Sequence, residues 1–198
     1  MGTGGWIVLG IVVVIAIWAI MIYNGLVALR NRFKNAFSQI DVQLKSRYDL
    51  IPNLVEAVKA YMAHERGTLE AVVKARGAAV SAAQAAAAAP GDPGAMRGLA
   101  QAEGALGGAL GRLLAVFEQY PDLKATGNVG QLQEELTSTE NRVAFSRQLY
   151  NDTATQYNTK QQQFPTSLVA GLAKASPAEL WEIEDQAERA VPKVDLSR

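Results

Sequence analysis

An uninterrupted apolar stretch near the start of the chain most constrains what this sequence can fold into. Residues 6–23 read WIVLGIVVVIAIWAIMIY, without one charged side chain. As a helix, these eighteen residues would span about 27 Å, close to the roughly 30 Å hydrocarbon core of a bilayer. A buried strand would end after about eight residues. We therefore predict a membrane anchor over residues 1–24, with Trp6, Trp18 and Tyr23 as its aromatic anchor residues.

The stretch lacks the features of a cleaved signal peptide, so we expect the anchor to be retained. No basic residue precedes it, and no small-x-small cleavage site follows it before Asn24. Beyond it, Asp41 is the one acidic residue among five basic ones: Arg30, Arg32, Lys34, Lys45 and Arg47. By the positive-inside rule, this bias predicts a single-pass membrane protein with its N-terminus outside and its larger part cytoplasmic. A periplasmic location of that larger part is the alternative.

The remaining sequence has the periodicity of long amphipathic helices. Apolar residues recur every three or four positions from Leu26 to Leu44, which predicts that the anchor helix continues into solvent. Pro52 predicts the end of that helix and a reversal of the chain between Tyr48 and Asn53. A second helix is expected to follow and to fade into the alanine run before Pro90.

Capping signals predict where the later helices begin. Asp92 followed by Pro93 is typical of a helix start and opens a third helix. Asn128, with a glutamine three residues later, opens a fourth, which Pro165 ends. Ser176, Pro177 and Glu179 predict a further short helix before an acidic tail. The expected fold is all-α: a transmembrane helix continuing into an antiparallel, coiled-coil-like bundle over residues 25–165, with a short helix and tail over 166–198.

The third helix is predicted to have a smooth face made of glycines. The spacing i, i+3, i+4, i+7 places four of them on one side of the helix, opposite a row of leucines. These are Gly104, Gly107, Gly108 and Gly111, called the glycine face below. Since each glycine costs about 1 kcal/mol of helix propensity relative to alanine, we expect this face to meet a neighbouring helix or a second subunit.

Composition argues against most enzymes and against nucleic-acid binding. Nineteen basic residues balance nineteen acidic ones, so the chain has no global positive field for phosphates. It has no cysteine, and its single histidine, His64, cannot supply the two Glu-x-x-His motifs of a di-iron bundle or the paired histidines of a zinc protease. No serine elbow or phosphate loop is visible. We expect no catalytic residue, no metal and no cofactor.

Three long strings of the sequence closely resemble the LemA family. They are residues 23–76, which begin YNGLVALRNRFKNAFSQID, residues 113–125 (LLAVFEQYPDLKA) and residues 132–158 (LQEELTSTENRVAFSRQLYNDTATQYN). Two positions depart from the family pattern: Phe37 stands where tryptophan is usual, and Val129 where phenylalanine is frequent. The resemblance implies a helical bundle anchored in a bacterial inner membrane, without established catalytic residues. The family is associated with envelope quality control beside a membrane metalloprotease and, in one branch, with magnetosome membranes.

Polar residues along the helices are predicted to fix the register of the bundle rather than to form a reactive centre. Hydrogen-bonding groups in helical bundles commonly specify orientation. The residues assigned to this network are Asn31, Gln39, Asp41, Arg47, Asn53, Glu140, Asn141 and Arg142. A binding surface for a partner protein is the alternative interpretation of the same residues.

Two functions remain. The first is a scaffold that self-assembles at the membrane as a homo-oligomer, its partners being the lipid bilayer and other copies of the chain. The second is an adaptor of envelope quality control that presents its bundle to a membrane protease or another partner. A large discrete mass in detergent favours the scaffold, and a monomer with saturable partner binding favours the adaptor.

Overall fold

The structure is a computed structural model that describes residues 2–62, 64–120, 127–173 and 175–182. Those ranges contain no strand and five helices, so the predicted all-α fold is confirmed. The helices are α1 (Thr3–Lys59), α2 (Arg66–Ala88), α3 (Pro93–Phe117), α4 (Gly127–Gln162) and α5 (Thr166–Leu172).

Helix α1 is a single rod of 57 residues that joins the apolar stretch to the bundle. At 1.5 Å per residue it is about 85 Å long. From Trp6 to Met21 its large apolar side chains are 48–67% exposed, so nothing in the described chain covers them. Its length and composition suffice to cross a membrane. The predicted continuation of the anchor helix into the bundle is confirmed. Trp6, Trp18 and Tyr23 all lie on its exposed part.

The helix end predicted at Pro52 is wrong, because α1 passes through this proline and ends seven residues later at Lys59. A proline in a helix leaves the carbonyl four residues earlier without its N–H partner, here that of Tyr48. Arg76 of α2 donates its Nε–H to this carbonyl at 2.6 Å. The tertiary contact thus replaces the missing hydrogen bond, and the chain reverses only between the end of α1 at Lys59 and the start of α2 at Arg66.

The bundle consists of two closely packed helix pairs, α1 with α4 and α2 with α3. Ile40, Leu44 and Leu54 of α1 are fully buried in its core. On α2 the alanine run faces the core with Ala79 and Ala86, and such small side chains let the α3 backbone approach closely. The predicted start of α3 is confirmed, since the Asp92 carboxylate accepts a hydrogen bond from the N–H of Ala95 at 2.9 Å.

Aromatic side chains set the register between α1 and the antiparallel α4. Phe37 meets Tyr150 nearly edge to face, with ring centroids 5.8 Å apart. Phe33 lies between Tyr150 and Tyr157, at 6.3 and 5.1 Å from their centroids. Phe37 is almost fully buried, so the phenylalanine at this position fills a core site.

The short helix predicted to begin at Ser176 is absent, since residues 175–182 form no helix. The short helix after Pro165 lies earlier, at Thr166–Leu172. The residues after 182, including the predicted acidic tail, fall outside the described residues.

Candidate functional site

A groove between α3 and α4 runs along one side of the bundle and is occupied over only part of its length. Its half nearer the apolar end of α1 holds residues 175–182, which we call the strap. Its other half is open and forms a cleft of about 540 Å³ between α1, α3 and α4. The two halves differ in every side chain that lines them, and the cleft is the candidate interaction site.

Two asparagines of α4 hold the strap by its backbone. The Asn158 side-chain amide donates to the carbonyl of Ala178 at 2.8 Å and accepts from the N–H of the same residue at 2.8 Å. The Asn151 side-chain amide likewise donates to the carbonyl of Trp181 at 3.0 Å and accepts from its N–H at 2.8 Å. Because an amide has both a donor and an acceptor, each asparagine pairs with an extended residue as a neighbouring strand would.

Tyrosines next to these asparagines add further hydrogen bonds to the strap. The hydroxyl of Tyr150 donates to the carbonyl of Glu179 at 2.6 Å, and that of Tyr157 donates to the carbonyl of Ser176 at 3.2 Å. Burial raises the pKa of both hydroxyls, with the nearby Glu179 adding to the rise at Tyr150, so both remain protonated donors. These bonds take the backbone groups that a helix would use internally, which explains why the predicted helix does not form.

The strap also closes the turn between α2 and α3. The N–H of Glu179 donates to the carbonyl of Gly91 at 3.0 Å. Gly91 has a φ of +86°, and a Cβ there would come within 3.1 Å of the Ala178 side chain, so the turn requires glycine. Trp181 is only 4% exposed. The strap is therefore an integral part of the core.

The floor of the cleft is an arginine held between two carboxylates. Arg47 is 4% exposed. Its Nη1 lies 2.8 Å from Glu103 Oε2, and its Nη2 lies 2.7 Å from Glu140 Oε2. The hydroxyl of Tyr48 donates to the other oxygen of Glu103 at 2.6 Å. Since Glu103 is buried and Glu140 largely exposed, the network connects α1 and α3 inside the bundle to the rim of the cleft on α4.

Burial dominates the electrostatics of this network. It raises the pKa of Glu103, and the hydrogen bond from Tyr48 and the charge of Arg47 offset only part of that rise. Burial, together with the Glu103 carboxylate, also raises the pKa of Tyr48 well above its ordinary value, so Tyr48 stays a donor. Arg47 Nε is buried and has no hydrogen-bond partner within the described part of the chain.

The structure brings together only part of the predicted register network. Arg47 and Glu140 are ion-paired, and Asn141 lines the same cleft. Asp41 is half-buried. The other four predicted members have exposed side chains: Asn31, Gln39, Asn53 and Arg142. Six further residues fix the register or hold the strap: Tyr48, Glu103, Tyr150, Asn151, Tyr157 and Asn158.

Two signals in the sequence could have identified the missed residues. The dipeptide Tyr-Asn occurs at positions 150–151 and again at 157–158, seven residues apart and hence on one helix face. Glu103 lies in phase with Leu99 and Leu106, so a carboxylate stands where the pattern requires a core side chain. A polar residue at a core position indicates a buried partner.

The glycine face points away from the core of its own chain. A Cβ placed on any of its four glycines would have no neighbour within 4 Å among the described residues, so no helix of the same chain packs closely there. Gly107 and Gly111 border the cleft. Leu114, expected on the buried side of α3, is 42% exposed and lines the cleft beside them.

The described residues contain no group of three His, Asp or Glu side chains that could hold a metal ion. His64 is exposed in the turn after α1.

Comparison with known proteins places the chain among membrane-associated helical proteins. The model of the LemA family matches residues 36–196. Magnetosome protein MamQ 2 of Paramagnetospirillum magneticum is 35% identical over 92 residues, 46% of this chain and 34% of that protein. Magnetosome protein MamQ of Magnetospirillum gryphiswaldense is 28% identical over 166 residues, 76% of this chain and 61% of that protein. The chain therefore spans less than two thirds of the length of these relatives.

Proposed function

Since this chain belongs to the LemA family, we propose that it is a non-enzymatic scaffold, tethered by one transmembrane helix to the bacterial inner membrane and self-assembling through its bundle. The observation that carries the proposal is the continuous open surface formed by the cleft and the glycine face of α3. The exposed apolar part of α1 supports the tether, and the similarity to magnetosome proteins supports a place at a membrane.

The glycine face supports self-assembly because its glycines destabilise α3 and no packing contact among the described residues offsets that loss. Four glycines lower helix propensity by about 4 kcal/mol relative to alanine. None of them lies against another helix within the described ranges of the chain. A helix from a second copy could approach this smooth face closely, as helices do at other small-residue contacts.

The cleft beside the glycine face supplies the specific part of such a contact. Leu114 offers exposed apolar area, and Glu140 and Asn141 offer exposed polar side chains at the rim. Burying apolar surface is favourable on association, and polar groups around it can fix the register of the contact.

The mass of the full-length protein in mild detergent tests this proposal. We expect a discrete multiple of the 21.2 kDa chain, and a smaller mass for the double variant Gly107→Leu/Gly108→Leu. Gly77→Leu is the matched control, because Gly77 is an exposed helical glycine on α2 with equally free space around it. A monomeric wild type, or an assembly that the double variant leaves unchanged, would contradict self-assembly through this face.

A second candidate function, that of an adaptor for a membrane protease or another envelope partner, is favoured by the strap. The half of the groove that holds the strap already binds an extended segment, so the open half can accept one from another protein. Gln133 of the cleft lies eighteen residues, or five helical turns, before Asn151 and so shares its face of α4. Its side-chain amide could therefore pair with the backbone of such a segment as Asn151 pairs with Trp181. A monomeric chain that binds a purified membrane protease saturably, and loses binding in Leu114→Glu, would replace the scaffold by the adaptor.

We place the N-terminus outside and the bundle in the cytoplasm, since Arg30, Arg32 and Lys34 follow the apolar stretch. The absence of cysteine makes this easy to test. Ser38→Cys, at an exposed position of α1, is expected to react with a membrane-impermeant maleimide in inverted vesicles and not in intact spheroplasts. The opposite result would place the bundle in the periplasm.

A further inference from the structure

We propose that α5 and the turn before it form a second membrane contact, a foot whose side chains enter the lipid interface beside the transmembrane helix. The foot consists of Phe164, Leu168 and Leu172, which are 80%, 62% and 88% exposed. The proposal rests on the tether proposed above and adds to it a lipid-binding surface on the bundle itself.

The register of the bundle places the foot at the membrane end of α1. Tyr157 of α4 packs on Phe33 of α1, and the two helices are antiparallel. From Tyr157 to Gln162 α4 continues for five residues, which is about 7.5 Å further toward the apolar end of α1. Helix α5 begins four residues after that point and contacts both α1 and α4.

The burial pattern of α1 agrees with this placement. Ala19, Ile22, Leu26 and Leu29 are the covered positions on this part of the helix, in steps of three and four along one face. Leu26 is only 4% exposed. On α5, Thr166 and Ala170 are the buried positions. Because Ala19 and Ile22 belong to the apolar stretch itself, α5 lies level with the last turns of the predicted span.

The foot exposes three large apolar side chains at a spacing of four residues. The segment from Phe164 to Leu172 reads FPTSLVAGL and contains no charge. Along the axis of α1, this exposed apolar surface lies at the level of Met21 and Tyr23, which are themselves 67% and 49% exposed. A soluble surface seldom keeps such a patch without an occupant.

The distribution of charge selects lipid as that occupant. Arg30, Arg32 and Lys34 follow on α1 one to three turns beyond the level of the foot. Along α1, apolar side chains are followed by basic ones, which is the order of acyl chains and anionic headgroups in a leaflet. An amphipathic segment at this boundary buries its apolar side about 5–10 Å deep. The foot would thereby fix the tilt and rotation of the bundle relative to the membrane.

Single-cysteine variants of the full-length protein test the foot, because the chain has no native cysteine. Each variant is labelled with nitrobenzoxadiazole and reconstituted in phosphatidylcholine vesicles that carry a nitroxide near the top of the acyl chain. Leu168→Cys is paired with Val42→Cys, since Val42 has nearly the same exposure, 59%, but lies about 28 Å along α1 from Tyr23. Phe164→Cys is paired in the same way with Phe145→Cys, which is 70% exposed at a distance from the foot.

We expect the labels at Leu168 and Phe164 to be blue-shifted and to lose roughly half of their emission to the nitroxide, with little loss at Val42 and Phe145. Equal quenching within each pair would overturn the proposal. A blue shift without quenching would overturn it as well, since protein rather than lipid would then cover the foot.

A label at Ile15 separates the two proposals. Quenching at Ile15 without quenching at Leu168 removes the foot and leaves the tether. Quenching at neither position removes the tether and, with it, the foot.

Discussion

The two halves of the groove lie between the same two helices, α3 and α4. One half is filled by the strap, and the other is an open cleft. In the half nearer the apolar end of α1, asparagine and tyrosine side chains bind the strap, and Trp181 completes the core. In the far half the same two helices leave a cleft with a charged floor and a glycine border. The filled half uses hydrogen bonds to backbone, whereas the open half uses an ion-pair network among side chains.

This difference indicates that the strap is covered within one chain, whereas the rim of the cleft is free for association. Every described backbone bond of the strap removes a polar group from solvent inside one chain. The cleft retains an exposed Leu114, whose apolar surface a partner chain would bury on association. Four variants sharpen or break this contrast.

Arg47→Met is expected to have the largest effect. It leaves the buried Glu103 without its charged partner, which costs about 3–5 kcal/mol of unfolding free energy. The control is Arg142→Met, an exposed arginine on α4 that should stay within about 0.5 kcal/mol of wild type. Urea unfolding in mild detergent, followed by circular dichroism, measures both. Equal losses in the two variants would show that the cleft floor does not support the fold.

Asn151→Ala removes two hydrogen bonds to Trp181 and should cost about 1–3 kcal/mol. The strap should then become accessible to protease, and Trp181 to solvent. Asn141→Ala, in the open half of the groove, provides the comparison and is expected to change stability by less than about 0.5 kcal/mol. If the two asparagines proved equally important, the distinction between the halves would fail.

Arg76→Leu should lower the free energy of unfolding by about 1–2 kcal/mol. The carbonyl of Tyr48, which Pro52 leaves without a backbone partner, then has no donor at all. The matched background is Pro52→Ala, which restores a helical N–H to that carbonyl. In this background the cost of Arg76→Leu should shrink, and a double-mutant cycle measures the difference. Strict additivity would mean that Arg76 does not compensate for the proline.

Glu103→Gln is expected to act mainly on the pH dependence of stability, because the amide oxygen can still accept from Arg47, which also keeps its ion pair with Glu140. The pKa of Glu103 is raised in the folded chain above its ordinary value of 4.5, so the folded state holds this proton more tightly than the unfolded state. Its contribution to stability is therefore present below the ordinary pKa and is lost as pH rises through the raised pKa. In Glu103→Gln that part of the pH dependence should disappear, whereas an unchanged profile would refute the role of burial.

Local sequence signals predicted most of the helices but not the contacts between them. The apolar stretch, the Asp92–Pro93 start and the stop at Pro165 each depend on neighbouring residues alone, and the structure agrees with them. The helix end at Pro52 failed because Arg76, distant in sequence, supplies the missing donor. The helix at Ser176 failed because α4 side chains bind that backbone.

The candidate site was predictable only where a polar residue occupies a position that the helix periodicity assigns to the core. Arg47 and Glu140 were predicted to belong to a polar network, but the network needed Glu103, whose position in the leucine row of α3 was the available signal. The cleft itself could not be predicted, since it depends on the distance between two helices that periodicity does not determine.

Disulfide cross-linking between single-cysteine variants in native membranes tests most directly whether the glycine face joins copies of the chain. Gly108→Cys lies on that face, and Gly77→Cys on α2 provides an equally open control. Mild oxidation is expected to convert Gly108→Cys to a covalent dimer, and to leave Gly77→Cys monomeric. A dimer yield at Gly108 no greater than at Gly77 would contradict a scaffold assembled through α3.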